Sequence, residues 1–579
     1  MKTKIAHALV NRQGHALLLV ILFLAVSAII LAGALNWSRS GTMLNERNNQ
    51  YFRSIAAAEA ATEKVLTHIK ADYDAEGENM VLAHLDTYRT MIPSVAENSD
   101  WSSYMFYDLN NTANRVSVEN SKSTEYRDLT SQYKGLRGYA TPIRISSRAR
   151  EAGRLINVFG GIQQDVDLAS IPIFQFAIFY NIDLEINPGP PMNVTGPVHC
   201  NANIYMDPQS ALTFHSDVTA AGEIIHDKKP GDPLTRTGGS IHYRAEHISR
   251  VSSLNLPIGT NNSPETVRLI VEVPPPTEPR DSLMGRQRFY NKADLVILLT
   301  NGIGGSFDEP AVIAHSGGFN AFSTPVVPTE VTRFLTVTNS FHNNREGKKV
   351  TVLDLDIAKL AQWNANNDVL KPVLPYPDQN IRIVFIADRR TGRPITTQPG
   401  VRLINGQQVL PMGLTVASPN PMYIKGHYNA PDVGSPNTSR TRPAAVIGDA
   451  ITILSSGFVD RNLTPGNTSV PVGTAVPTTV NAALLAGIVP TVSGSYSGGV
   501  ENFPRFLEAW GSSRTFTYNG SMVVMYESRW ATAQWRQANS YYDPPSRNWA
   551  FDQNFRQVAK LPPGTPMMRV LVRGNWAKL

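Results

Sequence analysis

Ala16-Leu-Leu-Leu-Val-Ile-Leu-Phe-Leu-Ala-Val-Ser-Ala-Ile-Ile-Leu-Ala-Gly-Ala-Leu35 contains no charge, and Ser27 is its only polar side chain. Twenty helical residues at ~1.5 Å each span about 30 Å, the thickness of a bilayer's hydrocarbon core. Lys2, Lys4 and Arg12 precede the run. The positive-inside tendency then keeps the first residues cytoplasmic and exports everything after Leu35. The helical pattern continues past that point. The first proline is Pro93, and the other 39 of the 40 lie beyond it. The run Ala56-Ala-Ala-Glu-Ala-Ala61 consists of strong helix formers. The sequence therefore predicts one helix of ~55 residues, about 80 Å long, part in lipid and part projecting as a stem.

The rest of the composition bounds the class. A chain of 579 residues has room for three or four domains by the usual length prior. With 42% apolar and 17% charged residues and a mean hydropathy of −0.19, its bulk is globular. No second run reaches the ~18 apolar residues that a membrane span needs. Fifty-three basic and 47 acidic residues leave a net charge of +6, without a basic block, so nucleic-acid binding is not indicated. Cys200 is the single cysteine, which excludes an internal disulfide framework.

Three readings of the N-terminus remain open. Ala32-Gly33-Ala34 fits a signal-peptidase site, the run fits an uncleaved anchor, and Gly14–His15 fits a leader cleavage. The third rests on a resemblance. A short basic leader ending at Gly14, an immediate apolar helix, an amphipathic stem and Ala57-Ala58-Glu59-Ala60-Ala61 resemble the N-terminus of PilX-type minor pilins over residues 1–70. The resemblance implies cleavage by a prepilin peptidase, and packing in a filament with other pilins or pseudopilins. Ala16, Leu19, Phe23, Ile29 and Leu35 would form the filament and membrane helix, and residues 57–61 the stem packing. Leu19 stands where major pilins carry a glutamate, as in tip-located members. His15 stands where the family carries an apolar residue.

Along Asn36–Lys70, Met43, Leu44, Tyr51, Ile55, Ala58, Thr62, Val65, Leu66 and Ile69 fall mostly on one helical face. Docking on the protein's own globular part and bundling with neighbouring pilin helices both fit. A second helical pattern covers Asn79–Ile92. Beyond Pro93 the period becomes that of strands, at 101–108, 114–119, 139–146 and 155–166, with polar connections at 126–137 and 147–153. A dense apolar stretch follows at 171–186.

Asn193–Tyr205 aligns with Thr213–Ile225 at an offset of 20, matching Val194 with Phe214, Val198 with Val218, Cys200 with Ala220, Ile204 with Ile224 and Tyr205 with Ile225. Similar units lie at 413–429, 442–456, 479–489 and 515–528, each read as two short runs joined at a corner. Short β segments at such a period suggest stacked solenoid rungs that bury their apolar faces on their neighbours. Between the two sections, strands at 293–300 and 381–387 with an amphipathic helix at 352–364 suggest a small α/β insertion. Residues 501–579 hold five of the eight tryptophans and read as a cap, or as an aromatic platform for a glycan.

Chemistry-bearing patterns are weak. Five of twelve histidines (His199, His215, His226, His242 and His247) fall near Cys200, without metal-ligand spacing. Asp183 with Glu185, and Asp354 with Asp356, sit two apart, as paired carboxylates on a solenoid enzyme would. The glycines at 302–305 and 317–318 lack a phosphate-loop pattern.

The expected fold class is α+β: a long N-terminal transmembrane and stem helix, then a mainly-β ectodomain, a parallel β-solenoid or alternatively a β-sandwich. The expected division is a leader at 1–14, helix and stem at 15–92, a β-rich linker domain at 93–170, a solenoid-like ectodomain at 171–500 with its insertion around 270–400, and the cap at 501–579. The expected function is that of a minor pilin or pseudopilin at the tip, or another low-abundance position, of a type IV pilus or type II secretion-like filament. The alternative is a membrane-anchored glycan-binding protein or polysaccharide-acting enzyme. No cofactor or metal is expected. Partners would be the lipid bilayer, the prepilin peptidase, other pilins and a surface glycan. The location would be the bacterial inner membrane and then a surface filament.

Overall fold

The computed structural model describes residues 13–154, 156–317, 324–461, 473–536 and 541–579. Most of the expected leader, and Leu155 at the start of one expected strand, lie outside them. Helix α1 runs Gln13–Ala75, 63 residues, longer than the sequence pattern suggested. Its extra turns are supplied by Ala71–Ala75. It stops where Gly77 takes φ +95°, a conformation that disfavours any side chain. The expected second helix is instead two short turns, α2 (Glu78–Ala83) and α3 (Leu85–Tyr88), broken at His84.

An antiparallel sheet lies against α1. Strands β1 (Tyr104–Tyr107), β2 (Ser117–Asn120) and β3 (Glu125–Asp128) all pair with β4 (Arg137–Glu151), which pairs with β5 (Gly160–Pro172). The stretches expected as polar connections thus supply β3 and the end of β4. In the latter, Ser147 and Ala149 are buried while Arg148 and Arg150 are partly exposed, so the polar composition there is that of a half-exposed strand.

Ten short strands follow: β6 (Ile178–Tyr180), β7 (Leu184–Ile186), β8 (Met192–Val194), β9 (Val198–Cys200), β10 (Ile204–Met206), β11 (Ala211–Phe214), β12 (Val218–Ala220), β13 (Ile224–Ile225), β14 (Ser240–Tyr243) and β15 (His247–Ile248). They stack in parallel as β7-β10-β13, β8-β11-β14 and β6-β9-β12-β15. Every residue pair matched in the 20-residue repeat is a register pair here. Polar side chains 20 apart tie the corners: Asn201 Nδ2 donates to Asn181 Oδ1 at 2.8 Å, and Asp207 N–H to Asn187 Oδ1 at 2.8 Å.

The chain then continues through β16 (Leu295–Asn301), β17 (Pro310–Ser316), β18 (Pro325–Val326), β19 (Leu335–Asn343), β20 (Lys348–Asp356), β21 (Ile383–Asp388), β22 (Thr397–Ile404) and β23 (Leu414–Ala417). After these come β24 (Met422–Lys425), β25 (Ala444–Gly448), β26 (Ile451–Leu454), β27 (Thr478–Ile488), β28 (Arg505–Phe506), β29 (Thr515–Glu527) and β30 (Ser546–Phe551). One 13-stranded sheet runs β15-β12-β9-β6-β29-β27-β25-β23-β21-β16-β17-β18, with β30 on β29. A second sheet runs β19-β20-β22-β24-β26-β28. The early stack therefore joins the later one where Ile178 of β6 pairs with Met522 of β29. The final strand, β31 (Met567–Lys578), returns to pair antiparallel with β5.

Several expectations change. The strands expected in a separate insertion are hydrogen-bonded into the same two sheets as their neighbours. Val352–Asp356 is strand, not helix: Val350, Val352 and Leu355 are buried, and Asp356 caps the helix Ile357–Asn366 by accepting from Lys359 N–H at 3.0 Å. The units at 479–489 and 515–528 are single long strands without corners. Strands of the 501–579 segment join three different sheets instead of gathering over one end. The fold is a long apolar helix followed by a large β-rich domain with mixed parallel and antiparallel sheets.

Candidate assembly helix and its platform

Helix α1 has two halves of different character. Every residue from Ala16 to Ser40 is exposed, including Leu19 (55%), Phe23, Ile29 and Leu35. This half is long and apolar enough to cross a membrane. The cleavage bond expected between Gly14 and His15 lies in its first turn. Trp37, 81% exposed, stands two residues beyond the apolar run, where an amphipathic ring suits a membrane–water boundary.

The second half is docked. Ser54, Ile55, Ala57, Ala58, Ala61, Thr62, Val65, Leu66, Ile69 and Tyr73 are buried against Val118, Ile143, Ile145, Ile162, Val166 and Leu168 of the sheet. Of the alanine-rich run, Ala57, Ala58 and Ala61 face the sheet, Ala60 is half-buried and Glu59 is exposed. Met43 and Leu44, placed on the same face by periodicity, lie beyond the sheet and stay exposed.

Small residues let the backbones approach. Ser147 Oγ donates to the Ala58 carbonyl at 2.5 Å and lies 3.1 Å from Thr62 Oγ1. A β carbon on Gly160 would stand 2.5 Å from the Ile55 amide nitrogen, so only glycine fits beneath the helix there. The last strand holds the helix too. Arg573 forks onto Glu63 at 2.7 and 2.8 Å. Arg569 donates to the carbonyls of Tyr73 and Glu76 at 3.2 and 3.3 Å. The last turn of α1 has no cation of its own, so the helix dipole's negative end is met by this distant guanidinium. Ser147, Gly160, Arg569 and Arg573 went unrecognised in the sequence, because nothing near them in the chain marks them as helix partners.

The chemistry candidates resolve into structural roles. His199 is buried between Thr219 Oγ1 at 2.8 Å and Asn201 Oδ1 at 3.0 Å, and burial pushes its pKa down to about 4. Burial pushes the Cys200 thiol up to about 12, which keeps it protonated and unreactive at neutral pH. Asp183 pairs with Lys229 at 3.0 Å, whereas Glu185 accepts from Thr491 and Ser497 at 2.6 and 3.0 Å. Asp354 is forked by Arg402 at 2.7 and 2.8 Å, while Asp356 serves as the helix cap. Among the described residues, no three His, Cys, Asp or Glu side chains converge as metal ligands do.

No protein-family model matches the chain, and no curated protein matches it. Among solved structures, the competence-associated pilin ComZ from Thermus thermophilus aligns over 91% of this chain and 97% of its own, at 12% identity and a TM-score of 0.31. So low a score is too weak a likeness to argue from, and the functional reading rests on this chain's own residues.

Proposed function

We propose that this chain is a pilin-like subunit, a minor pilin or pseudopilin of the PilX type, held at the tip or another low-abundance position of a filament. The observation that carries this is the division of α1. Its apolar half is free along its whole length, and its second half is clamped onto an antiparallel sheet that the C-terminal strand completes. A helix held that way suits transfer from a bilayer into a bundle of like helices, where burial of apolar surface drives packing.

In this reading Met1–Gly14 is a leader removed by a prepilin peptidase, the N-terminus faces the cytoplasm, and the ectodomain is exported and later carried on the filament. A β-rich body of some 500 residues is far wider than the stem, which favours a position that does not repeat along the shaft. Leu19 in place of the shaft-type glutamate favours the same. The parallel 20-residue register supports reading the ectodomain as a β-solenoid over an antiparallel sandwich. A structural role is favoured over the enzymatic alternative by Asp354 and Asp183 being ion-paired to Arg402 and Lys229 and by Asp356 capping a helix.

Mass spectrometry of the mature chain from membranes tests the proposal. A chain beginning at His15 is expected; one beginning at Met1 or Leu35 overturns it.

A further inference from the structure

Beside the first rungs, two clefts of about 620 and 490 Å³ share a wall made of Pro190, Glu501, Pro544 and Arg547. Arg547 and Trp549 lie two apart on β30 and so on the same side of the strand, with the guanidinium 5.4 Å from the Trp549 ring centre. Prolines at 188, 190, 191, 544 and 545 line the larger cleft and make its walls stiff. Asn193 and Asn548, both exposed, place amide groups at its margin. Trp535 and Tyr542 line the smaller cleft.

The state of Arg547 differs from that of six other arginines. Arg268, Arg288, Arg390, Arg393, Arg402 and Arg505 are buried, and each is ion-paired to a carboxylate. Arg547 has no such pair among the described residues. Its Nη2 donates only to Asn502 Oδ1, at a long 3.4 Å, and that oxygen already accepts from Tyr542 at 2.7 Å. Its Nε is buried without a partner, and so is Trp549 Nε1. A half-buried guanidinium with its Nε shut off from water and no counter-ion is costly, and here it borders open space. Glu501, in the same wall, forms no ion pair with it, its oxygens accepting instead from Asn187 N–H and Tyr496 Oη.

We propose that the double cleft binds an acidic saccharide, a uronate-type sugar, with its carboxylate on Arg547 and its ring over Trp549. Planar two-point recognition of a carboxylate suits a guanidinium, and a pyranose face suits an indole. The amides at the margin supply partners for hydroxyls. This site stands independently of whether the chain is built into a filament.

Calorimetry on the full chain in detergent, with trigalacturonate, maltotriose and triglutamate as probes, tests it. Trigalacturonate should bind at least tenfold more tightly than either of the others. Arg547→Gln should weaken it at least tenfold. Asn193→Trp, which fills the larger cleft from an exposed position without removing the guanidinium, should do the same with an unchanged melting temperature. Absence of trigalacturonate binding overturns the site, as does equal affinity for maltotriose or triglutamate. If Arg547→Gln fails to fold, Asn193→Trp decides alone: retained binding there overturns the proposal.

Discussion

Arg569 donates from Nη1 to the carbonyl of Tyr73 at 3.2 Å, and its guanidinium lies 5.8 Å from the centre of that residue's ring. A strand at the end of the chain therefore caps the helix at its beginning. Replacing Arg569 with Ala leaves the Tyr73 and Glu76 carbonyls without this donor and the dipole without its cation. The loss should be about 1–2 kcal/mol, partly offset by water at this half-buried site. Thermal melting should fall, and amide exchange should quicken selectively at the C-terminal end of α1. Uniform exchange rates along α1 would contradict the capping role.

The approach of Gly160 to Ile55 makes a sharper prediction. Gly160→Val would push backbone against backbone, where no rotamer relieves the contact. Overpacking of this kind costs about 1–3 kcal/mol. Limited proteolysis should then cut α1 near Ser54. Protection equal to the parent protein's would show that the helix can lift without loss.

Removing the chain before Thr42 tests the division of α1. The residues from Ala16 to Ser40 are all exposed. The shortened protein should be soluble without detergent, run as a monomer on size exclusion and keep its melting temperature within a few degrees. A large drop would mean that the free half contributes to the fold.

Leu19→Glu places a carboxylate on the exposed apolar half. In a tip position it should reduce incorporation or shift the subunit toward the shaft, visible by immunogold labelling of filaments. Unchanged amount and location would count against the tip assignment.

Two buried groups oppose each other in pH dependence. Burial raises Glu501 from 4.5 to about 7, so its contribution is full below 4.5 and is lost as pH rises to 7. Burial lowers His199 from 6.5 to about 4, so its contribution is full above 6.5 and is lost as pH falls to 4. In the parent protein the two slopes largely cancel between pH 4.5 and 6.5. Glu501→Gln should unmask the histidine slope and raise stability at pH 8 by up to about 3 kcal/mol. Melting curves from pH 4.5 to 8 check this, and superimposable profiles for both proteins would refute it.

What could be read from the sequence followed from local period. The apolar run, the helix continuing through Ala56–Ala61 and the 20-residue match of Val198 with Val218 all recur at the spacing of one element or one rung. Contacts between distant segments left no such mark. Met522 finds Ile178, and Arg573 finds Glu63, across more than 300 intervening residues. Val352–Asp356 misled because its acidic residues imitate a helix's polar face, although Asp354 is a buried partner of Arg402 and Asp356 a cap. Arg547 gave no signal at all: its lack of a counter-ion is visible only once the fold shows Glu501 accepting from Asn187 and Tyr496 instead.

The pairing of β31 with β5 has a consequence in time. The stem leaves the ribosome first, yet its seat is unfinished until β31 has been made. A chain that stalls in synthesis would present its apolar half on a loosely held lever. Only a chain whose β31 is in place can offer a rigid one, so firmness of the stem marks a molecule whose last strand has been made.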